Sequence, residues 1–176
     1  MRLLLNELLV KKISMEKWPS KCTFDKAKEI MDRLLGSKEL PWDPLTWIVW
    51  LRWVKEGQKC SYCDLDGKNW DNWRQMETEH IIPSKSYHPL NLTVACSRCN
   101  SVKRNWNPVT SNYGYNPTDL SEPKNEDERQ KLIIKVREYL SLQYTNNTNY
   151  YTESIFKQQV SEGSFSCNIV YNSVTK

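Results

Sequence analysis

Cys60-Ser61-Tyr62-Cys63 and Cys96-Ser97-Arg98-Cys99, two Cys-x-x-Cys pairs of identical internal spacing, decide how this chain is read. Each pair sets two thiols across a tight turn, so that both sulfurs can point at one tetrahedral ion, and two such knuckles make a four-thiolate site. Soft thiolates select zinc over magnesium or calcium. Four protein ligands leave no open position for a reacting water, so the expected Zn2+ is structural. Its binding energy, on the order of 10 kcal/mol, would rival the whole stability of a small domain. A simple zinc ribbon spaces its knuckles by about 15 to 20 residues. Cys63 and Cys96 bracket a longer insert, so something further is built inside the clamp. The other two cysteines, Cys22 and Cys167, lie far from both pairs, which argues against a disulfide framework and for a reducing, cytoplasmic setting.

The insert carries Glu79-His80-Ile81-Ile82-Pro83 and then Asn91-Leu92, and the second knuckle runs directly into Asn100, Lys103 and Arg104. This ordered set, from Cys60 to Lys103 and about a quarter of the chain, resembles the HNH endonuclease motif. The correspondence is C-x-x-C, an acidic residue and His followed by I-x-P, then N-L, then C-x-x-C-N-x-x-K. The resemblance implies an α+β protein with a zinc-clamped ββα-metal core, in which Glu79 and His80 belong to a β-hairpin and Asn100 opens the helix after it. It also implies hydrolysis of DNA to 5'-phosphate and 3'-hydroxyl ends, with RNA not excluded. Three departures bear on substrate geometry: Glu79 where many relatives have Asp, Asn100 where the naming histidine often stands, and a short His80 to Asn91 interval without a Gly-Gly turn.

The chemistry explains why such residues would be gathered. Phosphodiester hydrolysis is slow without help, so a nuclease must sharpen a water nucleophile and neutralise charge that builds on the phosphate. A histidine near its ordinary pKa of about 6.5 can take the proton at cellular pH, and His80 is the expected general base. The second of the two histidines, His88, sits in a Tyr87-His88-Pro89 turn and is expected to be a loop or substrate-contact residue. A divalent ion, Mg2+ or Mn2+, would be held by hard oxygens from Glu79 and Asn100. By resemblance, Asn91 hydrogen-bonds the hairpin loop and so orients His80. Lys103 and Arg104, three and four residues after Asn100, are expected to face a phosphate groove.

Each of these residues also has an ordinary role: Glu79 as a solvated strand residue, Asn91 as a turn former, Asn100 as a helix cap, Lys103 and Arg104 as surface charges. Their conjunction with His80 and both knuckles favours the nuclease. The rival from another class is a non-catalytic zinc module that binds nucleic acid or a partner protein. A third reading keeps the chemistry but makes the chain the nuclease subunit of a phage-defence or restriction assembly, with specificity in a protein partner. The Glu-His-Ile-Ile-Pro and Tyr-His-Pro cadence is similar to HNH subunits of such systems.

Around this segment, composition is globular, with 39% apolar residues, eight tryptophans and a formal charge of +4 that permits a nucleic-acid partner without demanding one. Residues 1–57 read as a helical region. One helix is expected from about Phe24 to Leu35, and another from Asp43-Pro44 to a stop at Gly57, with Trp47, Trp50, Leu51 and Val54 on one buried face. The Met1 to Leu5 run reads as ordinary helix rather than a secretory signal, and no stretch suits a membrane span. After the 58–108 core, residues 109–145 should supply a loop, Asn107 to Ser121, and a helix of about four turns. An Asn125/Glu128 capping box opens that helix, and Leu132, Ile133, Val136, Tyr139 and Leu140 form its stripe. The polar tail, 146–176, is expected to be partly ordered at best.

Overall fold

The computed structural model describes residues 11–12, 15–35 and 44–150, leaving aside the side chains of 35, 44–48 and 146–150. The expectations for Met1 to Leu5 and for the tail beyond residue 150 lie outside these. The chain is α+β, with five described helices of at least four residues and two small antiparallel sheets. It divides into two compact units, residues 1–140 and 141–176. Among the described residues no helix is long and apolar enough to cross a membrane.

Helix α1 spans Phe24–Leu35 and α2 spans Pro44–Lys55. Both bounds follow the local signals: proline opens α2, and Gly57, at φ +95°, turns the chain out of it. The buried face of α2 keeps Leu51 as expected but is turned relative to the expected stripe. Val49 and Trp53 are buried and Trp50 is half-buried, whereas Val54 is 53% exposed; the side chain of Trp47 is outside the described set. The indole N–H of Trp53 donates to the Lys59 carbonyl at 2.7 Å. Its ring lies against Gly67, where an added Cβ would come within 2.5 Å of it. Bulk at residue 67 would therefore push Trp53 out of the core.

The polypeptide next forms the first knuckle, a four-residue helix α3 (Trp70–Trp73) and the central hairpin of β1 (Met76–His80) and β2 (Leu92–Cys96). The strands pair antiparallel from Met76 opposite Cys96 to His80 opposite Leu92. Every residue of β2 is buried, as befits a strand covered on both faces. Helix α4, Ser97–Lys103, follows with no intervening loop and packs on both strands. A short hairpin, β3 (Trp106–Asn107) with β4 (Asn112–Tyr113), interrupts what reads as plain loop. Its turn is closed by Ser111 N–H donating to the Asn107 carbonyl at 2.8 Å.

Helix α5 spans Glu126–Tyr150, longer than the expected four turns. Asn125 caps it by accepting from the Glu128 N–H, while the Glu128 carboxylate accepts from the Lys124 N–H, one residue earlier than a standard capping box. Leu132, Ile133, Val136 and Leu140 are buried as the stripe requires. From the same helix, fully buried Arg129 reaches Glu126 (2.6 Å), Glu56 (3.3 Å) and the Thr93 hydroxyl (3.4 Å). A buried guanidinium is tolerable only when paired and hydrogen-bonded in this way. It ties α5 and α2 to β2.

Candidate functional site

The hairpin carries two different sites, one at each end. At the Met76/Cys96 end, the sulfurs of Cys60, Cys63, Cys96 and Cys99 all lie within 4.8 Å of one another, close enough to hold a metal ion and compatible with zinc. Local folding explains the convergence. The first knuckle is closed by Asp64 N–H donating to the Cys60 carbonyl at 3.1 Å, with Asp64 at φ +58°. It is attached to β2 through Ser61 N–H to the Val94 carbonyl at 3.0 Å. Arg137 of α5 clamps it from outside by a bidentate pair with Asp64, at 2.8 and 3.0 Å, and a bond to the Ser61 carbonyl. The second knuckle is the first turn of α4 itself. Backbone N–H groups of Tyr62 and Cys96 point at the Cys60 sulfur, at 3.5 and 3.2 Å. Hydrogen bonds from the Cys60 and Cys99 thiols pull the Cys96 thiol down to about 3, so this end is built to carry thiolate charge.

At the other end, β1 presents Glu77, Glu79 and His80 to the start of the loop. Strand alternation puts Glu77 and Glu79 on one face, and α4 lies against it. The contacts form two adjacent rungs: the Asn100 amide donates to a Glu77 carboxylate oxygen at 2.7 Å, and Lys103 Nζ pairs with Glu79 at 2.6 Å. Asn100 and Lys103 are one helical turn apart, which matches the two-residue step on the strand. Lys103 also donates to the His80 carbonyl at 2.9 Å. Its side chain is 0% exposed. Sequence spacing placed Lys103 on an open phosphate groove; the structure places it inside, as the counter-charge of Glu79. Glu79 is likewise buried rather than a solvated strand residue. Burial pushes its carboxyl up, opposed by Lys103, which favours the charged form.

His80 is half-buried, its ring edge-to-face with Tyr87 at 5.0 Å. Its Nε2 is buried with no hydrogen-bond partner. Burial first, and the nearby Lys103 ammonium second, push the imidazole down to about 4. It is therefore neutral at cellular pH, with a ring nitrogen that lacks the partner buried polar atoms normally have. Beside it, fully buried Asn91 uses its whole amide. Its oxygen accepts from the Ile82 N–H at 2.9 Å, and its NH2 donates to the Ile82 carbonyl, the Ser84 hydroxyl and the Ser86 carbonyl, at 3.1 to 3.2 Å. This one side chain closes the loop that follows His80.

The remaining sequence candidates fall elsewhere. His88 caps the 3-10 turn Pro89–Asn91 by accepting the Leu90 N–H on Nδ1 at 3.1 Å, and its ring packs edge-on against Trp18. Burial, the larger cause, lowers its pKa. Arg104 ends α4 in a left-handed conformation at φ +48° and is exposed, its Nε donating to the Ser101 carbonyl. Asn100 is the fourth residue of α4, not its first, because Cys96 takes the N-cap position and the knuckle forms the opening turn.

Sequence reasoning missed two neighbours of this end, Glu77 and Tyr87. Glu77 was visible as the residue two before Glu79 in a strand; nothing in the sequence marked Tyr87 as packing on His80. Glu77, Glu79 and Asn100 offer oxygen donors of the kind a hard cation takes, and His80 Nε2 has no partner. As they stand, Glu79 is paired with Lys103, and the Asn100 amide with Glu77. No protein-family model, curated protein or solved structure matches this chain.

Proposed function

We propose that this chain is a metal-dependent nuclease that hydrolyses DNA phosphodiester bonds, with His80 as the general base and the four-cysteine site holding a structural zinc ion. The observation that carries the reading is the buried, unpartnered Nε2 of His80 on the strand that also bears Glu79, with Asn100 on the helix packed against it. A buried polar atom without a partner costs about 1 to 3 kcal/mol, a penalty that native proteins retain mainly where the atom has work to do. Here the work is to accept a proton from the attacking water.

The residues divide the task. His80 is held by the strand, by the edge of Tyr87 and by the loop that Asn91 closes, so its ring can stay fixed while a proton arrives. The depressed proton affinity keeps it in the accepting form throughout the physiological range. Glu79 and Asn100 would hold Mg2+ or Mn2+ through their oxygens, and such an ion supplies neutralisation of the charge that builds on phosphate. Arg104, exposed at the end of α4, would contact the phosphate backbone. Thiolate-bound zinc fixes the start of α4 relative to β2, which sets where Asn100 and Lys103 fall against β1.

One observation favours a second reading. Glu79 and Asn100 both have protein partners, as expected of a zinc module that kept the scaffold and binds nucleic acid or protein without cutting. Plasmid digestion by the purified chain separates the two. The nuclease converts supercoiled plasmid to nicked or linear product with Mg2+ or Mn2+ and stops on EDTA addition while zinc is retained. The binding module retards the plasmid in a gel, yet yields no product at any enzyme concentration or with either ion.

A further inference from the structure

The Glu79–Lys103 pair has a bearing on the divalent site that the proposed nuclease reading leaves open. Lys103 is the only charged side chain besides Arg129 that is fully buried among the described residues, and it has two partners: the Glu79 carboxylate at 2.6 Å and the His80 carbonyl at 2.9 Å. A lysine in such a position is a compact point charge on a flexible stem, unlike an arginine fork, so it can leave by rotating about its own bonds. The groups facing its ammonium are the Glu79 carboxylate and the His80 carbonyl; Glu77 lies one rung away, bonded to Asn100. Two carboxylates and one ammonium leave a single net negative charge on this face. Removing the ammonium doubles it.

We propose that Lys103 is a resident cation that competes with the divalent ion for Glu79. In the ion-free protein it keeps a buried carboxylate paired, at no cost of an uncompensated charge. A divalent ion entering at Glu79 and Asn100 brings a second positive charge to within a few ångströms of Nζ, where repulsion between cations is strong in a partly dry site. The lysine therefore swings outward. Lys103 thereby sets the affinity for the ion. This inference rests on the proposed divalent site but makes a separate claim about it.

The test uses the full-length, zinc-loaded protein with Mn2+ alone, without nucleic acid, in mildly alkaline buffer. Free Mn2+ is read by electron paramagnetic resonance for wild type, Lys103→Met and Lys103→Met/Glu79→Gln. Lys103→Met is expected to bind Mn2+ about tenfold tighter or more, with the gain lost when Glu79 is also replaced. Equal or weaker binding by folded Lys103→Met overturns the proposal. Because an unpaired buried carboxylate could prevent that variant from folding, wild type is also acylated at its amines and mapped by mass spectrometry. Lys103 should be protected relative to exposed Lys68 without Mn2+ and become reactive with it; continued protection at saturating Mn2+ overturns the proposal by itself. If neither wild type nor variant binds Mn2+, the divalent site of the nuclease reading falls as well. If both bind equally and Lys103 stays protected, only the competition fails.

Discussion

The two ends of one hairpin, with five residues in each strand, are built on opposite principles. At the Met76/Cys96 end, four like groups converge within 4.8 Å and need an external cation to balance their charge. At the His80/Leu92 end, about 13 Å along the strands, the chain supplies its own cation, Lys103, and one ring nitrogen is left without a partner. The first arrangement is rigid and closed, suited to holding shape. The second pairs its buried carboxylate internally and leaves an imidazole nitrogen without a hydrogen bond. The four-cysteine cluster lies at one end and the Asn91 hydrogen bonds close the other, so the strands between them have little freedom.

The largest effect that would break this contrast lies at the cysteine end. Cys96→Ser should cost on the order of 10 kcal/mol in metal-loaded stability and abolish cooperative unfolding, as seen by near-ultraviolet circular dichroism and by loss of bound zinc. A cooperative, zinc-free fold would mean that the clamp is dispensable. Next comes the Asn91 clamp. Asn91→Ala removes four hydrogen bonds and strands their buried partners, and should destabilise by about 2 to 4 kcal/mol in urea titration, with zinc retained. A change below about 0.5 kcal/mol would show that the loop is held by other contacts.

A pH experiment sharpens the other end. His80 is depressed from 6.5 to about 4, so the unfolded chain binds its proton first. The stability it contributes is therefore present above about pH 6.5 and is lost as pH falls through the window down to about 4. Glu79, raised by burial, acts in the opposite sense at the low-pH side. The difference in denaturation midpoint between wild type and His80→Gln across this window isolates the histidine. A difference that does not vary with pH would contradict the buried, neutral imidazole. The smallest effect is at the exposed end of α4: Arg104→Ala should leave stability unchanged and lower the salt-dependence slope of DNA binding by about 1. An unchanged slope would remove Arg104 from the phosphate contacts.

How far the sequence could be read differs between these regions for physical reasons. The thiolate site was legible because its ligands come in local pairs whose spacing alone sets geometry. The bounds of α1 and the opening and stripe of α5 were legible from periodicity and capping residues. The full buried face of α2 was not, because apolar residues run nearly all round it from Trp47 to Val54, and its turn is decided by distant partners such as Gly67 under Trp53 and the Pro89 and Leu92 carbonyls that Arg52 reaches. Strands β3 and β4 are two residues long, too short for any alternation to register. Lys103 was read as a surface cation because its partner, Glu79, is distant in sequence and meets it only once α4 folds onto β1.

In the proposed nuclease, zinc and catalysis reside at opposite ends of the hairpin, with His80 acting only in the second. Zinc content and plasmid cleavage measured together on wild type and His80→Ala test this division most directly. Both proteins should hold one zinc per chain and share the same thermal transition, with Mg2+-dependent cleavage in wild type and a loss of about 100-fold or more in the variant. Equal cleavage by folded, zinc-loaded His80→Ala would contradict it.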